Sequence, residues 1–474
     1  MKTLFRLPQL CSAVFLLSCT TSELPPQAEP VKAGTTPSTS VVTPSPVVDG
    51  VAQMYVGYAV SGKTSIVPKG DPIIPMVTQK ADLSFLKTGG GTGEINYIAI
   101  GGSLTAGYRD RGLTRESQLT AYPNLIAHQM GLVNFKSPLF DVSEANGSGG
   151  LIFDGTADMP SWKQVTNQTA LKSNAPMTLS KYTGGDFQNI SGPFLGKDGF
   201  SSNYDPSIFN NRDFYPFVER LVKTSDYFVS GYTGEKNAMP SLATLSKKQT
   251  ADIFTMEFGF DGTVDNLMTQ RASWSAGGGI IGSYLVSDDM KGKPIWILMP
   301  KQVMRLPYFN FYTYDKLIKK LGVSEILIGT YKDQEVVKAN SKCVFLPTQR
   351  IMDAINNKTP LGIVPDVEVI DAMENCSCEA SFIGTVRQAA ETRKIPIIDL
   401  SAVYENVLNG QYVSEDGFKI DPSFPKGNFF SQDGIYPSAI GQAVIANEVI
   451  KVMNSAYKTN IPLINLTAYA RGLK

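Results

Sequence analysis

Ile98-Ala99-Ile100-Gly101-Gly102-Ser103-Leu104-Thr105-Ala106-Gly107-Tyr108 is the stretch on which the fold turns. Its apolar first half, with Tyr97 before it, reads as a buried strand over Tyr97 to Ile100, and the Gly-Gly-Ser that follows reads as a tight turn into a helix-bound segment. A serine so placed projects past the carboxyl end of its strand, where open parallel sheets put their ligand crevice. Taken alone, a Gly-Gly-Ser turn is plain turn chemistry.

Similar apolar runs bounded by turn residues stand at Ile253 to Phe258, Ile295 to Met299 and Ile395 to Leu400. Helical patterns alternate with them at Tyr122 to Met130, Ser381 to Thr392 and Pro437 to Tyr457, the last opening with proline at a suitable first helical position. Strands alternating with helices argue for an α/β protein with a parallel sheet covered on both faces. Two long insertions interrupt the alternation. Residues 142–249 are rich in Gly, Asn, Ser and aromatics and too long for a loop, so they read as a cap subdomain over the carboxyl edge of the sheet. Residues 301–375 hold a short strand candidate at Ile326 to Ile328.

Far along the chain comes a second block, Ser431-Gln432-Asp433-Gly434-Ile435-Tyr436-Pro437-Ser438-Ala439-Ile440-Gly441-Gln442-Ala443. The two blocks, in this order, resemble the first and last blocks of the SGNH or GDSL hydrolases, in particular the large lipoprotein members of Gram-negative bacteria. The similarity runs from about Ala81 to the C-terminus and is weaker in the insertions. It implies a three-layer α/β/α sandwich with a flavodoxin-like parallel sheet spanning 91–474, an N-terminal extension over 49–90, and the inserted cap. It also implies that Ser103 is the nucleophile position, that its backbone N–H is one oxyanion donor, and that Gly102 stands where the GDSL pattern has Asp.

The departures carry as much weight as the matches. The family's last block is Asp-x-x-His-Pro, in which Asp orients the His that deprotonates the serine, the logic of the Ser-His-Asp triad. Here Asp433 is present and the His position is Tyr436. A tyrosine titrates near 10, so about one molecule in a thousand is ionised at pH 7, and a neighbouring carboxylate raises that pKa further. The family's Gly-x-Asn-Asp corresponds to Phe258-Gly259-Phe260-Asp261-Gly262, which puts an acceptor, Asp261, where an amide donor belongs. Losing one such donor costs about 2.7 to 4 kcal/mol in a serine hydrolase. Gly196 and Gly199 are the candidates for the remaining oxyanion glycine. His128, the single histidine of the chain, lies on the helix after Ser103 and reads as a packing or surface residue. Serine-hydrolase remnants without a base still beat water by about 10³ to 10⁴, yet fall about 10⁴ to 10⁶ short of the intact enzyme.

The address is legible at the other end. Lys2 and Arg6 followed by Ala13-Val14-Phe15-Leu16-Leu17 have the layout of an export signal over residues 1–18. Leu16-Leu17-Ser18-Cys19 resembles a bacterial lipobox, with Cys19 acylated after cleavage; an ordinary secretory signal with an incidental cysteine is the competing reading. Residues 19–48 then form a Pro-, Thr- and Ser-rich tether, about 30 Å long as a flexible coil. The expected location is the outer membrane, lipid-anchored, and no segment is apolar enough for a transmembrane helix. Cys343, Cys376 and Cys378 are disulfide candidates in an oxidising envelope, with Cys343 pairing with either of the other two.

Lys plus Arg equals Asp plus Glu at 43 each, so no net field attracts nucleic acid. With one histidine and no clustered carboxylate motif, no metal or other cofactor is expected. Two functions compete. One is a non-catalytic lipoprotein with a binding or structural role, its partners other outer-membrane proteins or a glycan or acyl ligand. The other is a slow serine esterase using Ser103, with Asp433 as a poor base. Asp433 also fits a cap residue before the last helix, and insertion aromatics such as Tyr182 and Phe187 fit a subdomain core better than a ligand groove.

Overall fold

The computed structural model describes residues 57–68, 70–87, 94–174, 177–193, 250–258, 292–330, 335–371 and 386–473, with isolated positions 55, 220, 260, 264 and 384. The export segment, Cys19, the tether, Gly196, Gly199, Asp261, Cys376 and Cys378 lie outside these residues.

The strands that matter here are β1 (Val60–Thr64), β2 (Tyr97–Gly101), β3 (Gly150–Phe153), β4 (Trp162–Val165), β5 (Asn189–Ser191), β6 (Ile253–Phe258), β7 (Lys293–Leu298) and β8 (Ile397–Asp399). Five of them make the central sheet in the spatial order β8-β7-β6-β2-β5, every neighbouring pair parallel. The protein is therefore of the α/β class, with β2 as its first central strand and a change of direction between β2 and β6. Such a reversal opens the crevice that doubly wound sheets use for ligands. All of β2 is buried, which is why it reads as a continuous apolar run rather than an alternating one.

Of the three expected strands after the first, β6 has the expected bounds, β7 begins two residues earlier and ends one earlier, and β8 is shorter at both ends. Leu400 opens a helix instead of closing β8, because Asp399 accepts the Ser401 N–H at 2.9 Å and caps the helix there. The fifth member, β5, lies within 142–249 and pairs with β2 in register Ala99↔Asn189. A second sheet joins β1 in parallel to β4, and β4 antiparallel to β3, so the N-terminal extension is part of the folded body. Trp162 of β4 lies under Tyr58, Tyr308, Phe311 and Phe153 in edge and tilted contacts, and its indole N–H donates to the Gln432 carbonyl at 2.7 Å. Leu327–Gly329, beside the expected Ile326 to Ile328, forms a small sheet with Val336–Lys338 and Ile363–Pro365.

Six helices frame the site: α1 (Ser103–Ala106), α2 (Arg115–Leu119), α3 (Tyr122–Gln129), α4 (Leu400–Leu408), α5 (Ala439–Tyr457) and α6 (Leu466–Gly472). Residues 386–393 are helical as expected. The start of α5 differs from expectation: Ser438 is its N-cap, accepting the Gly441 N–H at 3.1 Å, and Pro437 stays outside in a bridge with Phe430. Among the described residues, no helix is long and apolar enough to cross a membrane.

Candidate functional site

The turn after β2 sets Ser103 at the first position of α1. Gly102 precedes it as the cap residue and has no side chain with which to satisfy the free N–H groups of that turn. Glu257, near the end of β6, supplies the acceptor from the neighbouring strand. Its Oε2 takes the Gly102 N–H at 3.1 Å, the Thr105 N–H at 2.9 Å and the Thr105 hydroxyl at 2.5 Å. The Thr105 oxygen in turn lies 2.9 Å from the Tyr122 hydroxyl. A carboxylate at the start of a helical turn is favoured by the exposed amide dipoles. This close approach is why residue 101 must be glycine: a Cβ there would stand 2.1 Å from the Thr105 hydroxyl oxygen and 2.7 Å from Glu257 Oε2. Ser103 itself has 0% exposure, so its hydroxyl does not face solvent.

The C-terminal block packs against this turn despite its distance in sequence. Gln442 of α5 donates to the Leu104 carbonyl at 3.1 Å and accepts the Tyr122 N–H at 3.0 Å. Tyr436 is fully buried, its ring edge-on to Tyr108 at 5.2 Å and to Phe260 at 5.3 Å. Tyr108 is bound to the Ser103 turn, its N–H donating to the Ser103 carbonyl at 2.8 Å. The residue at the expected base position is thus a packed aromatic, held by ring-to-ring contacts.

Asp433 is fully buried and its carboxylate is occupied by the chain around it. Oδ1 accepts from the Ser431 hydroxyl at 2.8 Å, the Ile435 N–H at 2.8 Å and the Tyr436 N–H at 2.9 Å, and Oδ2 accepts from the Arg111 N–H at 3.2 Å. The carboxylate therefore shapes the 431–436 turn; capping of α5, the role its position suggested, belongs to Ser438. Burial pushes the Asp433 carboxyl above its ordinary pKa, against the four donors that favour the charged form.

Those donors include a strained element. Arg109 and Gly112 pair through reciprocal backbone hydrogen bonds of 3.0 and 2.9 Å, and the two residues between them, Asp110 and Arg111, have φ of 56° and 52°. Two consecutive non-glycine residues with positive φ make a primed hairpin turn that asparagine and glycine enter more readily. The C-terminal block holds it shut: the Gln432 N–H donates to Asp110 Oδ1 at 2.6 Å, the Ser431 hydroxyl oxygen accepts the Asp110 N–H at 3.3 Å, and Asp433 takes the Arg111 N–H. Burial, and then the nearby Asp433 charge, push the Asp110 carboxyl up to about 7. The Arg111 guanidinium lies over the Tyr58 ring at 5.4 Å.

His128 is half-buried on α3. Its Nε2 lies 3.0 Å from the Pro75 carbonyl oxygen, tying α3 to the N-terminal extension, which a second clamp from Arg115 to both carboxylate oxygens of Asp71 at 2.7 Å also holds. Cys343 is buried in the strand Cys343–Phe345. Tyr182 and Phe187 meet edge-on at 5.6 Å, Phe187 buried and Tyr182 partly so.

Neither the family models nor the curated proteins nor the solved structures contain a match to this chain. What the site can do must come from its own geometry. Among the described residues no cluster of His, Cys, Asp and Glu has the arrangement of a metal site. Two residues that shape this turn carry no signal in the sequence. Glu257 meets Gly102 and Thr105 only because β2 and β6 are paired. Asn189 of β5 donates to the Thr105 carbonyl at 3.2 Å and accepts from the Ser191 hydroxyl at 2.7 Å, supporting α1 from the other side; a three-residue strand with Asn and Ser has no periodic signal to find.

Proposed function

We propose that this chain is an SGNH/GDSL-type lipoprotein whose hydrolase site has been converted into a structural joint, leaving a binding or structural role in the cell envelope. On this reading the body is the family's three-layer sandwich, the 142–249 stretch supplies the edge strand β5 as well as any cap, so it is not a cap throughout, and Cys19 carries the acyl anchor at the outer membrane. The observation that carries it is the occupancy of the Asp433 carboxylate: it accepts four hydrogen bonds from its own neighbourhood, and the residue three positions on is a buried tyrosine. A triad acid must instead face an imidazole. The strand order of the central sheet and the location of Ser103 just past β2 support the scaffold half of the proposal. The sealed position of Ser103, with Glu257 beside it as a fixed carboxylate, supports the non-catalytic half. A negative charge on that turn disfavours a developing oxyanion there.

The test is hydrolysis of short-chain aryl esters together with fluorophosphonate labelling, in wild type, Ser103→Ala and Tyr436→His. The expected result is no labelling of wild type above the Ser103→Ala background. Wild-type turnover that disappears in Ser103→Ala would overturn the proposal in favour of a slow esterase.

A further inference from the structure

Arg220 retains 5% of its exposure and lies face-on over Phe140 at 4.1 Å. Its two terminal nitrogens donate to the Pro138 and Leu139 carbonyls at 2.8 Å each, and its Nε–H is buried without an acceptor. Among the described residues no carboxylate reaches it within ion-pair distance. Asp141 and Glu144 act on it only through space; Asp141 is exposed and Glu144 is already paired with Lys172 at 2.6 Å. Burial lowers this guanidinium to about 10, so it is still charged at neutral pH. A buried charge with no ion-pair partner is unfavourable.

The side chain lines a cavity of about 20 Å³, bounded also by Asn189 and Ser191 at the end of β5, by Gln118 and Ser137, and by the apolar face of Ala106. That is room for one small occupant. Asn189 and Gln118 each commit one amide N–H, to Thr105 and to Pro138. A primary amide has a second N–H to offer. Water could accept these donors but would leave the cation uncompensated, whereas one negative charge satisfies both needs at once.

We propose that this cavity is a binding site for a single monovalent anion of halide size, held by Arg220 Nε with Asn189 and Gln118 as additional donors. Because Asn189 also supports the Thr105 carbonyl, the bound anion braces α1 from behind Ser103. The proposal is independent of whether Ser103 is catalytic.

The test compares thermal unfolding of the full chain in sodium gluconate, whose anion is too large for the cavity, with sodium bromide at equal ionic strength. Wild type should gain about 2 °C or more in Tm, saturating with bromide, by preferential binding to the folded state. Arg220→Gln should lose that gain, and Arg220→Lys should keep part of it. Crystals grown in bromide should show an anomalous peak beside Arg220 Nε, which decides the matter even if Arg220→Gln does not fold. Equal bromide responses in wild type and Arg220→Gln, or a water at that position in bromide crystals, would overturn the proposal.

Discussion

Replacing Asp433 with asparagine distinguishes a carboxylate that builds a turn from one that serves a reaction. The asparagine carbonyl can keep the three donors at Oδ1, from Ser431, Ile435 and Tyr436, but its NH₂ group must then face the Arg111 N–H that Oδ2 accepts. One hydrogen bond is replaced by a donor-to-donor contact, and the remaining three lose the charge that strengthens them. With a net worth of about 1.5 to 3 kcal/mol for bonds to charged groups, and a similar penalty for a buried donor left unmet, the loss should be about 2 to 4 kcal/mol. Removing the carboxylate altogether, as in Asp433→Ala, orphans four donors and should cost about 4 to 8 kcal/mol, much of the stability of an ordinary domain. Urea unfolding followed by tryptophan fluorescence is a suitable assay, since Trp162 is buried and its indole bonds to Gln432, next to the altered residue. The midpoint should fall at unchanged slope. An Asp433→Asn variant within about 0.5 kcal/mol of wild type would refute the structural role and return Asp433 to the candidate catalytic residues.

Other substitutions probe the same joint. Gly101→Ala drives a methyl to 2.1 Å from the Thr105 hydroxyl oxygen and against Glu257; it should cost more than about 3 kcal/mol or prevent soluble expression, read by urea unfolding and yield. Glu257→Gln keeps the shape but withdraws the charge from the α1 turn, and should lower stability by about 1 to 2 kcal/mol. The Asp110 carboxyl, raised to about 7 when folded, holds a proton that the unfolded chain releases above pH 4. Its contribution is therefore present at low pH and is lost as pH rises through 7, so unfolding free energy should decline between about pH 4 and 7. Asp110→Asn, which tolerates positive φ, should flatten that decline; an unchanged slope would remove Asp110 as its source. His128→Gln should shift stability by less than about 1 kcal/mol in a thermal melt, since its single identified tie is to the Pro75 carbonyl.

Much of the central sheet is legible in the sequence because β2 is wholly buried, and β6 and β7 each carry a buried stretch, Ile253 to Met256 and Ile295 to Leu298, that is largely apolar. Tyr97–Gly101 is the clearest instance, with all of its residues buried. The limits of such reading were physical. β5 is short and carries Asn189 and Ser191, whose side chains make hydrogen bonds rather than apolar contacts, and no periodicity marks them. The first turn of α5 was misplaced because Pro437 fits a helix start as well as Ser438 does; only the Ser438 bond to the Gly441 N–H decides between them. Ser103, Asp433 and Tyr436 were visible as unusual letters in two blocks. That Asp433 Oδ2 accepts from Arg111, more than three hundred residues earlier in the chain, is a contact no local pattern reports.

On the proposed reading, these bonds explain how a site loses its histidine and keeps its neighbours. Asp433 holds two turns together, its own and the strained pair Asp110 and Arg111, and the Ser103 backbone carbonyl receives Tyr108. Replacing either region disturbs folding whether or not any reaction occurs. An imidazole at 436 would have no comparable task in this packing. The space is occupied instead by a phenol ring contacting Tyr108 and Phe260, and aromatic pairs of this kind contribute about 0.5 to 1.5 kcal/mol beyond their buried area. On the proposed reading, exchanging histidine for tyrosine gives up chemistry and gains cohesion at the junction of the first and last blocks. Tyr436→His should accordingly lower stability, by about 1 to 3 kcal/mol in urea unfolding, because it removes ring contacts and buries a polar imidazole. It should not restore esterase activity by itself, since Asp433 stays committed to its four donors and Glu257 stays on the α1 turn. A Tyr436→His variant as stable as wild type and newly reactive toward fluorophosphonate would mean that the triad geometry is intact and that the tyrosine alone silences it.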